Sequence, residues 1–139
     1  MTKDGAFPDD GISDWFWNLI AKANGDQTRL RELLQDLSSE DLTRFEDEFR
    51  WASSAFQDKP YTDYMDADIS SDRVDDIANF VVSQGREFYT EVRKNPSLVP
   101  PTIDQRDPRI LSAVADQVHW EKFGREMDFG ENHEFQPYE

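Results

Sequence analysis

An acidic stretch that contains two tyrosines is the part of the sequence that points most directly to a binding site. Residues 58–76 include seven aspartates, against two basic residues, Lys59 and Arg73. Tyr61 and Tyr64 stand between the aspartates. Carboxylates around aromatic side chains form a surface that can receive the Lys and Arg side chains of a protein partner. These residue types therefore favour docking of a basic protein.

Part of this acidity has a purely structural explanation. Asp72, Asp75 and Asp76 would lie in the first turn of a helix, where the positive end of the helix dipole stabilises negative charge. The aspartates before that helix have no such explanation, although a solvated acidic loop is an alternative interpretation. We predict a partner-binding site made of Tyr61, Asp63, Tyr64, Asp66, Asp68 and Asp72.

Histidine and cysteine chemistry has little support in the sequence. The chain has no cysteine, and its two histidines, His119 and His133, do not form an HExxH pattern. A zinc site needs more nitrogen or sulfur ligands than two separate histidines supply. Patterns for a serine nucleophile elbow and for a phosphate-binding loop do not occur either. We predict no catalytic, cofactor-binding or metal-binding residue.

A calcium loop is the nearest metal motif, and it is incomplete. Asp66, Asp68 and Ser70 would occupy its first, third and fifth positions. The sixth position would be Ser71, where such a loop requires glycine, and the twelfth would be Ile77, where it requires glutamate. The aspartates therefore do not predict calcium binding.

The net charge of −15 restricts the class of partner. Nucleic acids and anionic membranes carry charge of the same sign and would be repelled, so we predict neither as a direct partner. A basic protein would be attracted, although solubility alone also explains an acidic surface. Since no apolar run is long enough to cross a membrane and residues 1–5 do not resemble a signal peptide, we expect a cytoplasmic protein.

Apolar residues recur every three or four positions, which predicts an all-α domain of about five helices over residues 13–127. The predicted helices begin at Ser13, Asp26, Ser38, Ser70 or Ser71, and Asp107. We expect residues 1–12 to be a flexible lead-in and residues 128–139 to be a loosely ordered tail. Four Trp, four Tyr and ten Phe indicate an aromatic core.

The acidic loop separates the third and fourth predicted helices. The third helix should end near Asp58, because Lys59 precedes Pro60. The fourth should run to Asn95, with Gly85 inside it, and glycine at such a position usually lets another helix approach closely. The fifth should have Asp107 as its N-cap and a proline as its first residue.

The fourth helix also carries a family resemblance. Residues 80–89, with the sequence FVVSQGREFY, are followed by Asn95, Pro96, Ser97 and Leu98. This pattern resembles a bacterial family known as domain of unknown function 4240, over about residues 13–99. The resemblance implies a helical bacterial domain and supplies no catalytic residue. Many members have a tryptophan-rich, glycine-containing stretch where this chain has the acidic residues 61–69.

Three functions follow from these observations. The first is a non-enzymatic binding module, similar to an immunity protein or an inhibitor, that presents carboxylates to a basic protein partner. The second is a DNA mimic, in which carboxylates stand in for phosphates. The third is a small carboxylate-dependent hydrolase or transferase that uses His119. The missing catalytic motifs favour the first.

Overall fold

The structure is a computed structural model that describes residues 10–131 and 133–138. It contains α-helices and short 3-10 helices, and no strand occurs in the described part of the chain. The α-helices are α1 Asp14–Ala23, α2 Gln27–Leu34, α3 Ser39–Ser54, α4 Ser71–Ser83, α5 Arg86–Lys94 and α6 Val114–Phe123. The 3-10 helices are Tyr61–Tyr64 and Pro96–Leu98. The predicted all-α class is confirmed, and the described helices number six rather than about five.

Side-chain caps set the beginnings of four helices. Ser13, Ser38 and Ser70 each accept a hydrogen bond from the backbone N–H three residues later. Asp26 accepts from two backbone N–H groups of α2. Because each cap satisfies an amide that the helix leaves without a partner, these four predicted beginnings are confirmed.

The predicted fourth helix is two helices, α4 and α5, and its prediction as one continuous element is wrong. Gly85 separates them with φ 109° and ψ 173°, a backbone conformation that only glycine adopts readily. A β-carbon at Gly85 would meet no atom within 4 Å, so no other helix approaches closely there. The glycine is needed for its dihedral angles and not for close packing.

The predicted start of the fifth helix at Asp107 is also wrong. Asp107 Oδ1 accepts from the Arg109 N–H two residues later, and the Arg109 guanidinium binds both Asp107 oxygens. This local turn competes with a helical cap. Ile110 and Leu111 are buried before the helix begins, and α6 starts at Val114.

The third predicted helix ends earlier than expected, at Ser54. Ala55, Phe56 and Gln57 donate to carbonyls three residues back, so the last turn tightens before the chain reaches Asp58. Phe56 is fully buried in this turn.

Aromatic rings make up much of the core, as the composition predicts. Phe16 of α1 and Phe45 of α3 have ring centroids 4.9 Å apart. The ring centroid of Tyr89 in α5 lies 5.0 Å from that of Trp17 and 5.3 Å from that of Phe56. Helix α3 packs against α4 and α6, and α2 packs against α1 and α6.

Both ends of the described chain contact the helices. Ile12 is buried in the core, and Phe135 stacks on Trp51 of α3 at 5.1 Å. The lead-in predicted over residues 1–12 lies mostly outside the described residues. None of the described helices combines the length and apolar character needed to cross a bilayer.

Candidate functional site

The predicted binding residues occupy the 3-10 helix Tyr61–Tyr64, the loop after it and the first turn of α4. The loop is anchored at Met65, which is 7% exposed, and by a hydrogen bond of 2.9 Å from the Asp66 N–H to the Pro101 carbonyl. The Ser70 cap then fixes the direction in which α4 leaves the loop. The carboxylates of this segment are therefore held on an anchored backbone.

Tyr61 belongs to the core and not to the exposed surface. It is 5% exposed, and its ring packs edge-on against Phe56 at 5.0 Å. Its hydroxyl accepts from Arg93 Nη1 at 2.7 Å. Arg93 in turn binds Asp10 through Nε and Nη2, so Tyr61 ties the loop to α5 and to the chain before α1. Tyr61 therefore holds the loop against the core and contributes little to the exposed surface.

The other five predicted residues are all exposed, and we call this set of side chains the acidic loop surface. It consists of the side chains of Asp63, Tyr64, Asp66, Asp68 and Asp72. Tyr64 is 49% exposed, in contrast to Tyr61 three positions before it. An exposed ring among carboxylates has the composition of a docking surface for cationic side chains.

Cations of the chain leave these carboxylates largely unmatched. Of the described residues in this segment, Lys59 Nζ lies 3.8 Å from Asp63 Oδ1, and Arg73 Nε lies 3.9 Å from Asp76 Oδ2. Arg73 instead donates to the Ile103 carbonyl at 2.7 Å. Within the described part of the chain, no cation lies within 4.0 Å of the carboxylates of Asp66, Asp68 and Asp72.

Ion pairs elsewhere in the described chain are much closer. Arginines bind carboxylates at 2.6–3.0 Å on α2, α3, α5 and the turn before α6. The contrast shows that the fold pairs its arginines closely with acids elsewhere and does not place them at the acidic loop surface.

Neighbouring carboxylates also perturb one another at the start of α4. Partial burial raises the pKa of Asp76 above its ordinary value. Arg73 opposes this shift, and the negative charges of Asp72 and Asp75 add to it. Burial is thus the main cause of the raised pKa, and the neighbouring carboxylates make a smaller contribution of the same sign.

A second cluster, which sequence reasoning missed, lies where the tail meets α3. Asp47, 5% exposed, accepts from Tyr138 at 2.6 Å and lies 2.9 Å from His133 Nε2. Burial and the hydrogen bond to Asp47 raise the pKa of Tyr138. An open cleft of about 720 Å³ lies beside it, lined in part by Trp51 and Phe135. No local pattern pairs residues that are 86 and 91 positions apart.

Groups of three or more His, Cys, Asp or Glu side chains able to hold a metal ion do not occur in the described part of the chain. The aspartates of the acidic loop surface, which partly match a calcium loop in sequence, thus do not converge on one point.

Comparison with known proteins identifies a family. A family model described as a protein of unknown function, DUF4240, matches residues 12–125 of the 139-residue chain. The matched segment includes all six α-helices and the acidic loop surface, and it extends beyond the resemblance visible in the sequence. No curated protein and no solved structure matches the chain.

Proposed function

We propose, from the premise that this chain belongs to the DUF4240 family of proteins of unknown function, that it is a binding protein whose acidic loop surface docks a basic protein. The observation that carries the proposal is the set of exposed carboxylates without close cations on the same anchored segment as the exposed Tyr64. An immunity- or inhibitor-like role fits this surface, since such proteins cover a basic site on their targets.

Electrostatic complementarity supports the proposal physically. Unmatched carboxylates on an anchored loop keep negative charges close together, and Lys or Arg side chains of a partner would offset their repulsion. The anchoring by Met65 and Tyr61 reduces the conformational entropy that the loop loses on binding. The charge of −15 would also attract a basic partner over distance and accelerate association.

Affinity capture from the native cell tests the proposal with two charge-matched variants. The first replaces Asp63, Asp66 and Asp68 with asparagine. The second, a control, carries Glu32→Gln, Asp36→Asn and Glu91→Gln, three exposed acids outside the acidic loop surface. Each variant removes three negative charges, so net charge is equal between them.

We expect the wild-type protein and the control to retain the same basic protein at low salt and to release it at high salt. The variant of the acidic loop surface should lose that protein at low salt. Equal retention by both variants would contradict the assignment of this surface, because only the location of the removed charge differs.

A further inference from the structure

His119 and Ser39 form a side-chain pair that the acidic loop surface does not explain. Ser39 Oγ lies 2.7 Å from His119 Nε2, across 80 positions of sequence. His119 Nδ1 lies 3.0 Å from the Arg125 carbonyl oxygen. The imidazole of His119 is fully buried, so packing and two hydrogen bonds fix its orientation.

The partners of His119 define which ring nitrogen carries the proton. A carbonyl oxygen can only accept, so Nδ1 must donate to Arg125. In the neutral ring Nε2 is then a bare acceptor, and the Ser39 hydroxyl donates to it. This is the arrangement of a nucleophile and its general base, in which a third group orients the base.

Ser39 is reachable although His119 is not. Ser39 is partly exposed and lines an open cleft of about 580 Å³ beside the beginning of α3. Arg125 Nη2 donates to Ser39 Oγ at 3.2 Å and would stabilise negative charge on that oxygen. The cleft also has Arg44, with Glu40 and Asp128 as counter-charges, and so suits a small ligand with little net charge.

The backbone next to Ser39 can stabilise an oxyanion. Ser39 is the first residue of α3, and a helix leaves the N–H groups of its first turn without intrahelical acceptors. The Ser38 side chain takes the N–H of Asp41. The N–H of Glu40 follows the serine directly, which is the relation found in oxyanion holes of serine hydrolases.

We propose that Ser39 and His119 are catalytic residues that hydrolyse small carboxylic esters in this cleft. Ser39 Oγ bonds to the ester carbonyl carbon while its proton moves to His119 Nε2. The bond to the alcohol oxygen then breaks, and His119 returns that proton to the departing alkoxide once the acylated Ser39 side chain has moved away from Nε2 and let the alkoxide reach it. A water oxygen next bonds to the acyl carbon while one proton of that water moves to His119 Nε2. The bond between the acyl carbon and Ser39 Oγ then breaks, and His119 returns the proton to Oγ, so ester and water become acid and alcohol.

This activity goes beyond the proposed binding function and beyond the sequence prediction of a non-enzymatic module. It shares no residue with the acidic loop surface, so the two proposals stand or fall separately. The sequence offered His119 as a candidate residue for a hydrolase but gave no signal for Ser39, because neither residue lies in a recognised motif.

A fluorophosphonate probe with intact mass and peptide mapping tests the nucleophile directly. We expect one adduct, at Ser39, in the folded wild-type protein and none in urea. Ser39→Ala should abolish the adduct, and Ser97→Ala, at an exposed serine outside the cleft, should retain it. His119→Gln should slow labelling by roughly 100-fold, in the range of general-base catalysis. No adduct at Ser39, or equal labelling in urea, would overturn the proposal.

A cysteine variant keeps the test independent of whether His119→Gln folds. The chain has no cysteine, so Ser39→Cys introduces a single thiol, and Ser38→Cys is its control at the same helix end. The rate of reaction with iodoacetamide is measured for each variant at a pH below the ordinary cysteine pKa of about 8.5. The rate of the folded variant is then divided by the rate of the same variant in urea. We expect the Ser39→Cys ratio to be at least about tenfold higher, because His119 promotes the thiolate. Equal ratios would overturn the proposal.

Discussion

Buried carboxylates of α3 differ in how completely they are hydrogen-bonded. Glu48, fully buried, accepts from the Ser13 N–H at 2.7 Å and from Ser13 Oγ and Arg44 Nε at 3.0 Å. Glu46 accepts from Arg50 Nε at 2.7 Å through one oxygen, and its other oxygen is buried without a partner among the described residues. A buried charge with an unsatisfied oxygen destabilises the fold.

We predict that Glu46→Gln stabilises the protein at neutral pH. Burial raises the pKa of Glu46 above its ordinary 4.5, so the folded state binds this proton more tightly than the unfolded state. As the pH rises through the range in which Glu46 ionises, its ionisation therefore lowers the free energy of unfolding. Glutamine carries no such charge and avoids that loss. The gain should be about 1 kcal/mol.

Thermal unfolding at about pH 8 and about pH 5 checks the sign, since the advantage of glutamine should shrink as the wild-type Glu46 takes up its proton. Loss of the Arg50 ion pair opposes the gain only weakly, because Arg50 is 59% exposed. An advantage that grows towards low pH would contradict the raised pKa.

Single-residue predictions from the sequence succeeded where the cause is local. The helix caps at Ser13, Asp26 and Ser38 depend on amides within three residues, and the sequence shows both partners. The hydroxyl of Tyr61 accepts a hydrogen bond from Arg93, which is 32 positions away. Sequence spacing does not reveal a contact over that separation.

At the scale of elements, Gly85 decides where α4 ends and α5 begins. Gln84 donates to Phe80 and Val81, and Gly85 donates to Val82, so the hydrogen bonds change to a tighter pattern before the break. Gly85 then adopts its positive φ, and α5 starts in a new direction at Arg86. Apolar spacing continues across the break, which is why the sequence predicts one helix.

We predict that Gly85→Ala and Gly85→Leu destabilise the fold equally, by about 1–3 kcal/mol. The cause is the φ of 109°, which any β-carbon disfavours, while the space around the position is open. Urea unfolding of both variants, with the exposed neighbour Gln84→Ala as control, measures the loss. A much larger loss for leucine than for alanine would indicate close packing and contradict this explanation.

The sequence misplaced one element for a local reason and another because of distant contacts. Asp107 has the residue type of a helix cap, but Arg109 captures its carboxylate and α6 begins seven residues later. The tail contributes Phe135 and Tyr138 to α3 through a ring stack and a bond to Asp47. The first outcome is a choice between two local hydrogen-bond patterns, and only the second depends on residues that are far apart in sequence.

For the whole molecule, an excess of fifteen negative charges opposes compaction. The all-α class and the acidity were both predictable, because each is a property of composition and periodicity. The placement of arginines was not. The fold sets them on acids away from the acidic loop surface, which makes that surface a source of self-repulsion and the site at which we propose that a partner binds.

We predict that the asparagine variant of Asp63, Asp66 and Asp68 is more thermally stable than the wild type at low salt. Its three carboxylates lie in a segment of crowded negative charge, so their removal relieves repulsion. The charge-matched control should gain less, and the difference should fall as salt screens the charges. If the variant loses binding while it gains stability, the loss of binding is not caused by unfolding.

Site-specific photo-crosslinking in the native cell tests the central claim most directly. A benzophenone amino acid replaces Tyr64 in the acidic loop surface, and in a control it replaces Trp120, which is 57% exposed on α6. The account predicts a crosslink to a basic protein from position 64 and not from position 120. That crosslink should disappear when Asp63, Asp66 and Asp68 are asparagine. No crosslink from position 64, or one that survives those substitutions, would contradict the account.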